Sequence, residues 1–177
     1  MRTPVTRVTL RSLMRELARS LPRSQSGRVY FVGGGTAVWV GWRSSTLDVD
    51  LHGEPEKLFD DIQKIKERLG VNIEFVQPEH FVPALEGTEE RHVFIEKVNA
   101  VSFYHHDPYA QVFSKIVRGF ARDLEDAESF VSSGLVDPLR LGELVHLIPR
   151  QAYSRYPAIS QEAVLAAVDS FLGKSGG

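Results

Sequence analysis

Leu10, Leu13, Met14, Leu17 and Leu21 recur at spacings of three and four, which predicts an amphipathic helix over residues 9–21. Arg7, Arg11, Arg15 and Arg19 form a second, cationic stripe along it. A loop over 22–27 leads to an apolar run, 29–32, that reads as a buried strand ended by Gly33, Gly34 and Gly35. Residues 36–42 fit a short helix with Gly41 near its end, and 47–51 read as a second strand. The pattern then predicts a helix over 54–69, with Pro55 at its first position and Leu58, Ile62, Ile65 and Leu69 inward. Gly70 suits its exit. A third strand is expected over 71–76, with Val71, Ile73 and Phe75 on one face and Glu74 on the other. A helical turn over 80–85 and strands over 92–98 and 100–104 follow, joined at Asn99. From Asp107 the pattern is helical, over 107–118, 122–133, 137–147 and 160–172, and Lys174 to Gly177 reads as a disordered tail. The expected architecture is α+β: a mixed sheet flanked by helices, with a helical C-terminal lobe.

Alternation along 47–51 puts Asp48 and Asp50 on one face and Leu47, Val49 and Leu51 on the other. Two carboxylates that close together are costly unless protonated or shared with a cation. Mg²⁺ suits such a pair, because it is usually held by one or two carboxylates plus substrate phosphates. Gly33 and Gly34 stand where a strand meets a helix, a place where backbone can approach an anion. A dinucleotide-binding G-x-G-x-x-G is excluded, because its last glycine would fall at Val38.

Charge and composition narrow the class. The chain has 177 residues, 42% of them hydrophobic, enough for a packed core in one domain or a compact two-lobed unit. It has no cysteine, which excludes disulfides and thiolate metal sites. No apolar run approaches a membrane span and no secretory segment is visible, so a cytoplasmic protein is the expectation. Residues 1–28 hold seven arginines against one acid, Glu16, so that segment is +6 within a chain of net −2. The arginine stripe reads in three ways: a solvated face whose stems cover apolar surface, a contact for nucleic-acid phosphates, or a transit segment.

Gly33-Gly34, a short helix, then Arg43-Ser44-Ser45-Thr46-Leu47-Asp48-Val49-Asp50 resembles the signature of the nucleotidyltransferase superfamily, the polymerase-β-like fold. The nearest resemblance is to small bacterial nucleotidyltransferases of the AbiEii and MenT toxin type, over residues 27–147. It implies that the glycines contact a nucleoside triphosphate such as ATP, that Asp48 and Asp50 hold Mg²⁺, and that Arg43 and Ser45 line the nucleotide pocket, although Arg43 reads equally well as a cap on the preceding helix. A third acid from a neighbouring strand would complete the metal site. Glu74 matches it by position, although the family more often has Asp there; Glu96 competes with it, and so does a site without a third acid.

A second segment, from Ser114 to Ala127, is similar to the family's Lys followed by Arg/Lys-Asp-Leu-x-Asp. Lys115, Arg118 and Arg122 would share one helix face at i, i+3 and i+7, with Ile116, Val117 and Phe120 left for the core and Gly119 a possible break. The resemblance implies Lys115 as a phosphate ligand, supported by Arg118, Arg122, Asp123 and Asp126. Read without it, the segment is a surface helix with an Arg122–Asp126 pair. His105-His106-Asp107 reads as a turn with Asp107 capping a helix that has Pro108 at its first position, and His52, His80, His92 and His146 carry no pattern.

The resulting expectation is a basic N-terminal helix over 1–26, a nucleotidyltransferase core over 27–104 and a helical lobe over 105–173. Its activity would be Mg²⁺-dependent transfer of a nucleoside monophosphate to a hydroxyl, with pyrophosphate released. The resemblance points to the tRNA 3′ end as acceptor and to a cognate antitoxin as partner. A protein or small-molecule acceptor, and a nucleotide-binding module without turnover, are the alternatives.

Overall fold

The computed structural model describes residues 2–175. The chain forms two compact units, Met1–Gln77 with His92–His106, and Pro78–Arg91 with Asp107–Gly177.

The first unit is a five-stranded mixed sheet with helices. Its elements are α1 (Arg7–Arg19), β1 (Gly27–Val32), α2 (Gly34–Val40), β2 (Asp48–Glu54), α3 (Ile62–Leu69), β3 (Asn72–Phe75), β4 (Val93–Val98) and β5 (Val101–His105). The strand order is β3-β2-β1-β5-β4. β1 runs antiparallel to β2 and parallel to β5, and β2 runs parallel to β3. Helix α1 starts two residues earlier than its leucines suggest, because Thr6 and Thr9 form a reciprocal cap. Its Leu10, Leu13, Met14 and Leu17 are buried with Val29, Phe31, Val49, Leu51, Ile73, Val101 and Phe103. Those sheet residues are the alternate positions of their strands, so the intervening ones (Tyr30, Asp50, His52, Glu74 and Tyr104) share the opposite face.

Four expectations need correction here. Leu47 is 63% exposed, because the ladder of β2 begins only at Asp48 and Leu47 sits in the bend before it. No continuous helix spans 54–69: β2 pairs with β1 as far as Glu54, a 3₁₀ turn follows over Glu56–Phe59, and only Ile62–Leu69 is α-helical. The inward pattern survives the break, with Leu58 and Ile65 buried. Phe75 is half exposed and packs edge-on against Phe59, because β3 is an edge strand that ends there. The helical turn expected over 80–85 is displaced: short 3₁₀ turns lie on either side, at Pro78–His80 and Thr88–Glu90, both in the second unit, and residues 83–85 have no regular structure.

The second unit is helical: α4 (Pro108–Arg118), α5 (Ala121–Ser132), α6 (Pro138–His146) and α7 (Gln161–Ser175), with a 3₁₀ turn at Arg150–Arg155. Asp107 and Asp137 cap α4 and α6, each followed by proline at the first helical position. Arg91 and Thr88 both bond the buried Asp107 carboxylate, at 2.8 and 3.0 Å, and so tie the 78–91 segment to the start of α4. Val112, Phe113, Ile116, Phe130, Leu141, Leu144, Val168 and Phe171 are buried. Lys174 and Ser175, expected in the tail, belong to α7, which runs through Ser175, and Gly176 and Gly177 lie outside the described residues.

Candidate functional site

β1 delivers the chain to Gly33, whose backbone lies at φ 61°, a region that excludes most side chains. A Cβ there would stand 3.6 Å from Asp50 Oδ2, so the turn passes directly beside that acid. Gly34 is required for a different reason, because a Cβ would collide with the side chain of Thr46. The turn is held from behind by Thr36, whose hydroxyl lies 3.0 Å from His105 Nδ1. Burial pushes the His105 imidazole down to about 4, so it is neutral at physiological pH.

β2 carries the acids, and its parallel pairing with β3 decides what joins them. Asp48 stands opposite Asn72, and Asp50 stands opposite Glu74, so all four side chains share one face. The Asn72 amide donates to Asp48 Oδ1 at 2.8 Å and to Glu74 Oε1 at 3.2 Å. Arg2 Nη1 reaches the same Asp48 oxygen at 3.8 Å. Glu96 stands on β4, with β1 and β5 between it and β2, and pairs with Arg11 at 2.9 Å. Arg43 and Ser45 are half-buried in the segment joining α2 to β2. The Arg43 backbone N–H donates to the Ala37 carbonyl at the end of α2, so this residue caps the helix through its main chain.

The same face carries a group that sequence reading passed over. His52 Nε2 and His106 Nδ1 are 2.8 Å apart. Tyr30 stacks on His52 at 4.8 Å and on Tyr104 at 5.3 Å, and the His92 ring lies 4.7 Å from that of His106. One signal was available: His52 follows Asp50 by two residues on one strand, so it continues the acid row. Nothing local indicated that His92 and His106 would arrive there. Asn72 and Arg2 were also unread, because their roles arise only from strand pairing and from the path of the N-terminal segment.

The family model described as "Nucleotidyltransferase of unknown function (DUF6036)" matches residues 8–168. The chain is a member of that family. No curated protein and no solved structure gives a significant match to this nucleotidyltransferase.

In the nucleotidyltransferase the acids do not form a closed metal cage. Among the described residues no three His, Asp or Glu side chains gather as a metal site. The donor chemistry nevertheless fits a hard divalent cation of the open kind: two carboxylates on one face, with phosphate and water oxygens left to complete the shell.

The cationic segment lies in the second unit. Lys115 Nζ is 3.1 Å from Asp126 Oδ2 and 3.8 Å from Asp123 Oδ1, with all three side chains nearly buried. Arg118 pairs with Asp123 at 3.5 Å. Arg122 does not share a helix face with Lys115 and Arg118: Gly119, at φ 73°, ends α4, and Arg122 stands exposed in the first turn of α5. Phe120 is 67% exposed rather than in the core, since it sits in the link after Gly119. A cleft of about 780 Å³ in this unit, lined by Glu79, Pro83, Arg155 and Tyr156 among others, contains none of these residues.

The arginine stripe is partly engaged within the first unit. The Arg7 and Arg11 guanidinium groups lie over the Trp39 ring at 4.6 and 5.0 Å, and Arg19 pairs with Glu16. Arg15 is exposed. Among the described residues no helix is long and apolar enough to cross a membrane.

Proposed function

We propose that this nucleotidyltransferase moves a nucleoside monophosphate from a nucleoside triphosphate to an acceptor hydroxyl, releasing pyrophosphate. The observation that carries the reading is the face shared by Asp48, Asp50 and Glu74, with the Gly33 turn against Asp50. Asp48 and Asp50 would hold Mg²⁺, which when bound supplies positive charge to the reacting phosphate. The glycine turn lets backbone approach the triphosphate, and Arg43 and Ser45 are assigned to the nucleotide pocket on the resemblance. Glu74 orients the acceptor hydroxyl and takes its proton. Asn72 keeps Glu74 and Asp48 in a fixed relation through its amide. Lys115 is assigned as a phosphate ligand, with Arg118 and Arg122 in support, on the resemblance alone; within its own unit its ammonium faces Asp123 and Asp126. Most of the catalysis is then positioning and charge stabilisation.

The acceptor we assign is the 3′ end of a tRNA, and the partner a cognate antitoxin. Both rest on the resemblance to AbiEii and MenT toxins. The test is transfer of label from each of the four α-labelled nucleoside triphosphates, with Mg²⁺ and total tRNA, beside the Asp48→Ala/Asp50→Ala variant. Label on RNA that vanishes in the variant supports the assignment. Label on protein replaces tRNA with a protein acceptor. No label, with nucleotide still bound, favours a small-molecule acceptor or a binding module without turnover.

A further inference from the structure

The N-terminal segment ahead of α1 is tied to the loops that feed the two acid-bearing strands. Thr3 N–H donates to the Gly70 carbonyl, just before β3, at 2.9 Å. Val5, fully buried, exchanges two backbone hydrogen bonds with Thr46, just before β2, at 2.7 and 3.0 Å. Thr46 is also the residue that packs against Gly34, and its hydroxyl donates to the Asp48 carbonyl at 3.1 Å. One strap therefore connects the glycine turn, the start of β2 and the start of β3. It carries Arg2 to the Asp48 carboxylate, 3.8 Å away, with the guanidinium side 68% exposed.

A nucleoside triphosphate brings more negative charge than one divalent cation cancels. Asp48, Asp50 and Glu74 add to that excess. A guanidinium anchored at the acids has the charge and the fork geometry that phosphate oxygens require. An exposed pair at 3.8 Å contributes little stability by itself, so Arg2 is held there by the strap rather than by Asp48.

We propose that Arg2 is a phosphate ligand of the nucleotide: it rests on Asp48 in the free protein and turns to the triphosphate when substrate binds. This rests on the nucleotidyl-transfer reading above. The test uses the full 177-residue chain with any tag placed at the C-terminus. Wild type, Arg2→Gln and Arg2→Lys are titrated by calorimetry with Mg²⁺ alone, and then with inorganic tripolyphosphate at saturating Mg²⁺. The probe has no base, so base preference does not enter. The expected result for Arg2→Gln is about a tenfold loss of tripolyphosphate affinity, with Mg²⁺ affinity unchanged or tighter and part of the loss recovered in Arg2→Lys. Unchanged or tighter tripolyphosphate binding in Arg2→Gln overturns the proposal. Equal losses in both titrations overturn it as well, since Arg2 would then act only through the acids. A wild type that binds neither probe defeats the nucleotidyl-transfer reading itself, a result distinct from any effect confined to the variants.

Discussion

Asp50 on β2 and Glu74 on β3 are direct partners in a parallel register. Twenty-four positions apart in sequence, they become neighbours because α3 carries the chain back to the edge of β2. Sheet register alone therefore sets which acid accompanies the Asp48–Asp50 pair. It brings Asn72 with it, as the partner of Asp48.

Replacing Asp48 and Asp50 together by alanine should reduce nucleotidyl transfer on the order of a thousandfold or more. Stability should change far less than activity, because neither acid belongs to the packed core. Labelled transfer and a urea titration of the same preparation measure both.

Asn72→Ala removes the amide that bonds both Asp48 and Glu74. Two carboxylates then lose a shared donor without losing their strand positions. Transfer should fall about tenfold with an unchanged far-ultraviolet spectrum, as expected for a positioning residue. Asn72→Asp should be worse than Asn72→Ala, since it puts a fourth acid on the face in place of the donor. Metal titrations of the two variants would separate misplacement from lost affinity.

Gly34→Ala should destabilise the protein by roughly 1–3 kcal/mol, because the added Cβ meets Thr46. Thr46→Ala in the same chain removes the hydroxyl and methyl from that collision and should recover part of the loss. A double-mutant cycle of urea stabilities should therefore show strong coupling between the two positions. Additive losses would mean that the turn moves away from Thr46.

His105 is buried neutral, with its imidazole held down to about 4, below its ordinary 6.5. The unfolded chain binds this proton more readily than the folded one. The contribution is fully present above pH 6.5 and is lost as pH falls from there towards 4, amounting to about 3 kcal/mol. Urea stabilities at pH 7.5 and 5.0 should differ less in His105→Gln than in wild type. An equal difference in both would assign the acid sensitivity to other groups.

Arg11→Glu should lower the melting temperature, because it removes both a guanidinium over Trp39 and the ion pair with Glu96. The combined loss is roughly 1–2 kcal/mol. Arg15→Glu, at an exposed position, should leave stability unchanged. If the stripe also binds RNA, Arg15→Glu alone should weaken that binding and flatten its salt dependence.

The sequence by itself determined what depends on near neighbours. Alternation put Asp48 and Asp50 on one strand face, and buried Val49 and Leu51 on the other. The leucine spacing of α1, the aspartate caps before Pro108 and Pro138, and the left-handed exits at Gly70 and Gly119 follow the same local rules. Only the tertiary structure decided what lies across a strand or at the end of a long connection. It brought Glu74 rather than Glu96 beside β2, set Asn72 between two acids, and led Arg2 to Asp48. It also gathered Tyr30, His52, His92 and His106, which share no sequence spacing, and paired Lys115 with Asp126 and Asp123. Periodicity says which way a side chain points from its own element. Register and chain closure choose its neighbours, and those are settled by burial and pairing over the whole unit.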